Sequence, residues 1–303
     1  MFCCTVCRVG ELLVYIIYNP TAGRRNIKKL TAVLDALTQF GISPQVLRTE
    51  YAGHATELAR SVARLGGITI VAAGGDGTIA EVVSGIIGTN ARLGLIPLGT
   101  ANVMAREFGL PRKPAAIAKV LASSGGRLLW PGCLQYPSGT KQIFVQMASV
   151  GFDASVVHHV HPGFKKRVGR YAYVIQTIRD LFYYRFLPVQ IEVDGKIRSV
   201  AGAIVSKGCF YGGHYLLTRH ANPSERGFTI ILFEQGGVFS VLNVGWALLR
   251  NRISDLPGVQ IIKADQIKIL TPEGIPLQAD GDASGSTPVE ISDAEAPIFV
   301  AAP

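Results

Sequence analysis

No stretch of this 303-residue chain reaches 18 consecutive apolar residues, the minimum for a helix that crosses a bilayer. The longest approach, Gly236 to Leu249, is too short and carries Asn243. The apolar run Leu12–Tyr18 leads straight into Asn-Pro and a basic pair, without the small-residue pattern of a cleaved secretory leader. Cysteine is scarce and odd in number, at 5. Cys3, Cys4 and Cys7 cluster while Cys133 and Cys209 stand alone, so a four-ligand zinc site is not expected and the thiols read as reduced and incidental in a cytoplasmic protein. His158, His159 and His161 have no nearby carboxylate cluster and read as surface residues, not metal ligands. Neither glycine loop contains Gly-Lys-Ser/Thr, which excludes a Walker A site. The Gly-x-Gly-x-x-Gly of dinucleotide folds and protein kinases is also missing. There is no internal repeat and no low-complexity tract.

What the chain does have is a hydrophobic fraction of 48% against 17% charged residues, the balance of a folded globular protein. Mean hydropathy is +0.30. Thirty Lys and Arg against 21 Asp and Glu give a formal charge of +9. Such an excess suits an anionic partner: a nucleotide, a nucleic acid or an acidic membrane surface. The length fits two domains.

The first 110 residues alternate strand and helix. Apolar strand patterns at Leu12–Tyr18, Pro44–Leu47, Ile68–Ala73 and Leu93–Leu98 are followed by helical spacing over Asn26–Phe40, His54–Leu65, Thr78–Ile87 and Asn102–Phe108. Near-continuous apolar strands joined by helices predict an α/β domain with a mostly parallel, two-sided sheet. The character changes near Arg127. Ile143–Val150, Val189–Val193, Val200–Val205, Phe228–Phe233, Gln266–Leu270 and Val289–Ile291 read as strands, separated by turns such as Asp194-Gly195, Gly212-Gly213 and Asp280-Gly281. One helical insertion, Gly169 to Tyr184, interrupts them. The expected division is 1–127 as an α/β nucleotide-binding domain and 128–303 as a β-rich domain.

Three turns after strands carry the chemistry. Gly74-Gly75-Asp76-Gly77-Thr78 ends a buried strand and opens a helix. Its glycines let the backbone approach an anion, and the free N–H groups of a helix start favour phosphate. Asp76 adds a carboxylate where an ATP–Mg2+ complex needs an oxygen ligand; the plainer alternative is an Asp that caps a helix. Pro97-Leu98-Gly99-Thr100-Ala101-Asn102 repeats the arrangement, with the Thr100 hydroxyl and Asn102 amide beside the first loop if the two strands are neighbours. The third turn runs from Asn19 to Arg25, and its arginines Arg24 and Arg25 either meet phosphate or form solvated surface.

These turns, in this order, resemble the diacylglycerol kinase catalytic-domain family, which includes bacterial lipid kinases and the related sphingosine and ceramide kinases. The similarity extends to Thr49 with Gly53-His54-Ala55, to Gly151-Phe152-Asp153-Ala154, to Tyr211-Gly212-Gly213 and to Gln278-Ala279-Asp280-Gly281-Asp282. It implies an N-terminal α/β domain and a C-terminal β-sandwich with ATP in the cleft between them. It further implies that Asn19, Thr49, Gly75, Asp76, Gly77 and Thr100 bind ATP and its Mg2+. Asp280 would be the general base toward a lipid hydroxyl and Asp282 a supporting carboxylate. Read without the resemblance, Asp280-Gly281 is a hairpin turn. The chain departs from the family at three places. The run that holds a structural Mg2+ in many bacterial members is Ser224-Glu225-Arg226-Gly227 here, where an arginine repels a cation. Lys207-Gly208 replaces Asn-Gly, and Asp282 replaces a commoner Glu.

From His158 to Arg185 the chain carries six Lys or Arg and one acid, interleaved with aromatic residues. This basic, aromatic segment either lies on an anionic membrane surface or packs its rings on the β-domain. No nucleic-acid module accompanies the charge. The expected protein is thus an ATP-dependent kinase of diacylglycerol or a similar membrane lipid, cytoplasmic and peripherally membrane-associated. An NAD-kinase-like enzyme with a soluble acceptor and a non-catalytic nucleotide- or membrane-binding protein are the alternatives. Oligomeric state, a homo-oligomer included, is left open.

Overall fold

The computed structural model describes residues 13–22, 26–161, 163, 171–271 and 273–303. Cys3, Cys4, Cys7, Leu12, Arg24, Arg25 and Gly169, named above, together with Gly23 of the third turn and Lys165, Lys166, Arg167 and Arg170 of the basic, aromatic segment, lie outside the described residues.

Every residue of β3 (Thr69–Gly74) is buried, because its side chains alternate into two cores. Ile70 and Ala72 face a cluster with Ala59, Val82 and Val83, from α2 (His54–Ala63) and α3 (Asp76–Ile86). Val71 and Ala73 face another with Val33, Leu37 and Ile117, from α1 (Asn26–Gln39) and α5 (Pro114–Ala122). Helices on both faces explain why the strand reads as an unbroken apolar run. β3 pairs in parallel with β1 (Val14–Tyr18) and β4 (Arg92–Pro97), and β1 with β2 (Gln45–Arg48). The remaining two strands are β20 (Ile298–Ala301), parallel to β4, and β5 (Gly126–Leu129), antiparallel to β20. The order is β2-β1-β3-β4-β20-β5, so the chain's last strand returns to the first sheet.

The second half forms two antiparallel sheets packed face to face. One runs β10-β9-β16-β19-β6-β7, the other β15-β14-β11-β8-β17-β18. The strands are β6 (Gly132–Gln135), β7 (Lys141–Phe144), β8 (Met147–Val150), β9 (Val189–Val193), β10 (Lys196–Val200), β11 (Gly202–Ser206), β14 (Phe228–Phe233), β15 (Val259–Ala264), β16 (Ile267–Thr271), β17 (Pro276–Ala279), β18 (Asp282–Ser286) and β19 (Val289–Asp293). Phe144, Ile191, Val205, Ile230 and Leu277 meet in the shared core. β12 (Phe210–Tyr211) and β13 (Tyr215–Leu216) form a separate ribbon. The outer face of the second sheet seats two helices. α6 (Phe152–His159) lies over β8, β17 and β18. α8 (Val238–Leu249) packs Ala247, Val244 and Leu248 against Met147, Ile204 and Ile231. α7 (Tyr171–Asp180) packs on α6.

The main departure from the sequence reading is at Ile143–Val150. This run is not one strand: it breaks at Val145 and Gln146, where the chain crosses from one sheet of the sandwich to the other. Phe144 before the break and Ala148 and Val150 after it lie in the sandwich core, while Val145 joins the core of the first sheet and Gln146 is a buried polar residue at the crossing. α5 and α6 were not anticipated, and Gly236–Leu249, considered above only as a membrane span, contains the surface helix α8. Among the described residues no helix is long and apolar enough to cross a membrane.

Candidate active site

The parallel strands bring the predicted turns side by side at the carboxyl end of the sheet, in the order Thr49, Asn19, Gly74–Thr78, Leu98–Asn102. Thr49 is buried at the end of β2, its amide donating to Tyr18 O at 2.9 Å. Asn19 is fixed by three bonds. Its Nδ2 donates to Thr78 Oγ1 at 3.0 Å, and its Oδ1 accepts from the Thr21 amide and hydroxyl at 2.9 and 2.8 Å. Thr78 is therefore a buried support for Asn19. Its hydroxyl lies where a Cβ on Gly74 would stand, 2.4 Å away, so only glycine fits at position 74.

The two glycine loops touch through glycine alone, with a Cβ on Gly99 falling 2.6 Å from Gly75 Cα. Asp76 then ties them together. Its Oδ1 accepts from the Met104 amide at 3.1 Å, and the Val103 and Asn102 amides also point at the carboxylate. Asp76 thus caps a helix, as the plainer alternative supposed, but the helix is α4 (Val103–Glu107) on the neighbouring loop. Burial raises the Asp76 pKa against the lowering pull of these amides. Gly75 leaves the start of α3 without a side-chain cap, so its N–H groups are placed to meet an anion. Asn102 sits in the left-handed region at φ 51, with Nδ2 on Gly99 O at 2.7 Å. Its Oδ1 is buried without a hydrogen-bond donor, an acceptor held beside the loops. Thr100 is exposed at the same rim.

Across from the loops stands the turn joining β17 to β18. Asp280 and Gly281 both have positive φ, 51 and 82, as a two-residue hairpin turn of this hand requires. The Asp280 carboxylate reaches back to the break between β7 and β8. Oδ2 accepts from Val145 N at 2.7 Å, and Oδ1 from Gln146 N at 2.8 Å and Met147 N at 3.1 Å. A carboxylate offers about four lone-pair sites; three are taken, leaving one on Oδ2. Burial raises the pKa to about 7 against these three amides, and the charge of Asp76 adds to the rise. Asp282 completes the approach: its Oδ2 lies 3.2 Å from where a Cβ on Gly77 would be, so the hairpin meets the first turn of α3.

The second-half landmarks converge on this hairpin. Asp153 accepts from the buried Tyr211 hydroxyl and from Gln278 Nε2, the latter at 3.3 Å. Gln278 Oε1 in turn accepts from Gly281 N at 2.9 Å. Gly213, next along the Tyr-Gly-Gly turn, lies against Ala101, with a Cβ there only 3.5 Å from Ala101 Cα.

Glu107 and Gln146, which the sequence reading did not single out, lock the halves together. Glu107, the last residue of α4, accepts through Oε1 from Gln146 Nε2 at 2.7 Å and from Phe210 N at 2.8 Å. Gly208 fits only as glycine, since a Cβ would fall 2.1 Å from Gln146 Nε2. Burial raises the Glu107 pKa, opposed by these hydrogen bonds. Asp76, α4, Glu107, Gln146 and Asp280 thereby form one connected frame. Nothing in the local pattern marks an acid on a five-residue helix as a partner of a glutamine 39 residues later.

The departures from the family pattern also find a physical account. Lys207 is fully buried, its ammonium paired with Asp293, donating to Gly227 O at 2.8 Å and lying 4.3 Å over the Phe228 ring. Arg226 Nε approaches Asp293 at 3.4 Å. Two side-chain cations thus converge on one carboxylate beside the stretch 224–227.

The carboxylates fit a hard divalent ion chemically. Asp76 and Asp280 raise each other's energy in a buried setting, which a cation relieves, and oxygen ligands are what Mg2+ prefers. Among the described residues no three His, Cys, Asp or Glu side chains converge as a ready-made cage. Mg2+ commonly takes one or two carboxylates together with substrate phosphates.

A glycine-lined helix start facing the carboxylates of Asp280 and Asp282 is an arrangement able to hold phosphate beside a base. Residues 13–128 match the family described as diacylglycerol kinase catalytic domain, and residues 146–300 match the YegS C-terminal NAD kinase beta sandwich-like domain. The diacylglycerol kinase of Bacillus subtilis (strain 168) is 31% identical over 293 residues, covering 95% of each chain. That of Mycobacterium tuberculosis is 28% identical over 290 residues, covering 94% of this chain and 93% of its own. Among solved structures, a diacylglycerol kinase from Bacillus anthracis str. Sterne superposes with a TM-score of 0.76 at 22% identity, over 98% of this chain and 99% of that one. Yeast NADH kinase shares the fold more distantly, at TM-score 0.54 and 12% identity, over 97% of this chain and 84% of its own. The chain belongs to the diacylglycerol kinase family and is a kinase acting on an alcohol acceptor.

Proposed function

We propose that the protein transfers the γ-phosphate of ATP to a hydroxyl of diacylglycerol or a similar membrane lipid. The observation that carries this reading is the apposition of the two glycine loops with the hairpin of Asp280 and Asp282, seen in the contact of Asp282 with the Gly77 position. In this reading the N–H groups at the start of α3, with Asn19, Thr49, Thr100 and Asn102, hold the nucleotide in the portion 1–127. The portion 128–303 brings the base and the acceptor. Asp76, with Asp282 near it, would hold Mg2+, which when bound neutralises phosphate charge. The acceptor hydroxyl oxygen bonds to the γ-phosphorus as the bridging oxygen departs with ADP. The hydroxyl proton passes to the remaining lone pair of Asp280 Oδ2. Work on a lipid places the protein at a membrane surface as a peripheral enzyme of phospholipid metabolism.

The test is a phosphorylation assay with Mg2+, γ-labelled ATP and mixed micelles of single lipids: diacylglycerol, monoacylglycerol, sphingosine, ceramide and phosphatidylglycerol. NAD runs in a parallel tube, with Asp76→Ala and Asp280→Ala alongside. Label in one lipid, lost in both variants, is the expected result and names the acceptor class. Label in NAD alone, or ATP binding without transfer to any acceptor, overturns it.

A further inference from the structure

α8 carries a stripe of exposed apolar side chains. Phe239, Leu242, Trp246 and Leu249 recur at helical spacing on one face and are 83%, 54%, 60% and 57% exposed. The opposite face, through Ala247, Val244 and Leu248, is already committed to the sheet beneath. None of the 12 residues of the helix is charged. At its end Arg250 lies over the Trp246 ring at 4.6 Å, and exposed Arg252 follows. A contiguous exposed stripe of this kind marks an interaction surface.

A second exposed apolar patch, on α7, lies nearer the candidate active site. α6 and α8 cover the outer face of the same sheet, and α7 packs on α6. Beyond α7, Phe186 presses on Gly236, where a Cβ would fall 2.7 Å from Phe186 Cβ, one residue before the cap of α8. α7 itself exposes Val174 and Ile178, with Phe182 just after it 72% exposed. On its other side the Tyr173 hydroxyl donates to Gly281 O at 2.8 Å, directly beside Asp280.

We propose that α8, together with α7, is the surface by which this protein lies on an anionic bilayer. Phe239, Leu242, Trp246 and Leu249 enter the interface while Arg250 and Arg252 meet lipid phosphates, the arrangement of an in-plane amphipathic helix. The charge favours a bilayer over a second copy of the chain. Around the two helices exposed Arg179, Arg185, Arg250 and Arg252 outnumber the exposed acids Glu234 and Asp255, so a copy laid across the stripe brings more like charge than opposite charge, whereas anionic headgroups supply the opposite sign. The purpose of the surface, holding the Asp280 hairpin at the bilayer, rests on the lipid-kinase reading; the surface itself does not.

The experiment uses the full chain with Trp130→Phe, which leaves Trp246 as the single tryptophan of the 2 in the sequence. Vesicles of phosphatidylcholine with phosphatidylglycerol are expected to shift its emission to the blue and to sediment the protein, and vesicles of phosphatidylcholine alone to do so far less. Leu242→Glu is expected to abolish the shift and weaken binding at least about tenfold, since a carboxylate must be drawn into the interface. Arg250→Ser is expected to weaken binding about fivefold. Turnover of a short-chain, dispersed diacylglycerol is expected to survive Leu242→Glu, which also shows that the variant is folded. No emission shift on anionic vesicles overturns the proposal, as does vesicle binding that Leu242→Glu leaves unchanged. A change in self-association without a change in vesicle binding assigns the stripe to a second copy and overturns it too. Vesicle binding lost in Leu242→Glu while no lipid is phosphorylated by the unsubstituted chain sustains the surface and removes the kinase reading instead.

Discussion

Gly99 and Gly75 meet backbone to backbone: a Cβ on Gly99 would stand 2.6 Å from Gly75 Cα. Side chains yield by rotating, but here the obstacle is main chain, so Gly99→Ala forces the two loops apart. Overpacking of this kind costs about 1–3 kcal/mol, and the displaced loop is the one whose amides hold Asp76. The variant is expected to stay folded and to lose most of its affinity for ATP in equilibrium dialysis. Unchanged affinity would show that the loop contact does not shape the nucleotide site.

Much of the first half was legible because its signals are local. Strand, glycine turn and helix follow one another within a few residues at β3 and α3, and the observed ends differ from the expected ones by only a residue or two. The two-residue turn at Asp280-Gly281 was equally local. What escaped is what depends on distant pairing. Ile143–Val150 reads as one strand because most of its side chains are buried, in three different cores, yet its break supplies the amides that fix Asp280. The four residues of β20 carry no sign that they return to the first sheet. Glu107 becomes informative only once Gln146 and Phe210 are placed around it. α8 is apolar nearly all round, and composition alone does not reveal which of its faces is left uncovered.

Lys207 gives a stability prediction. Its ammonium is wholly buried with Asp293, and burial lowers its pKa while that carboxylate raises it. Removing one member of a buried pair strands the other, at about 3–5 kcal/mol. Lys207→Met is therefore expected to lower the denaturation midpoint strongly, and adding Asp293→Asn to recover part of the loss. A double-mutant cycle in urea measures the coupling. Additive effects would mean that the pair contributes nothing beyond its separate contacts.

Glu107 gives a second, with a built-in control. Glu107→Gln keeps an Oε1 acceptor for the Gln146 side chain and the Phe210 amide, so stability should stay near that of the unsubstituted chain. Glu107→Ala leaves the Phe210 amide without an acceptor and Gln146 Nε2 with only the long bond to Phe210 O at 3.4 Å, costing about 1–3 kcal/mol for a buried group that loses its partner. Because Glu107 holds the Gln146 side chain while the Gln146 main-chain N–H donates to Asp280, Glu107→Ala is expected to lower kcat more than it raises KM for ATP. Equal stability of the two variants would remove Glu107 from the frame that joins the halves.

Asp280 gives the sharpest test, because one shifted proton has two readouts. Burial lifts its pKa from 3.8 to about 7, with the charge of Asp76 adding to the lift against three backbone amides. As a base it works only when ionised, so kcat/KM should rise with pH through about 7 and level off above. Stability should move the other way. Between 3.8 and about 7 the native protein keeps a proton that the unfolded chain has released. More protons bound in the native state means that stability falls as pH rises across this window, with the loss complete above it. The slope from one such group is at most about 1.4 kcal/mol per pH unit. Asp76 and Glu107, also raised, add slopes of the same sign, so the quantity to measure is the difference between the unsubstituted chain and Asp280→Asn by urea denaturation. That difference should change steadily across the window and flatten above it. Parallel curves would mean that Asp280 is already ionised throughout, and the rise in kcat/KM would then belong to another group.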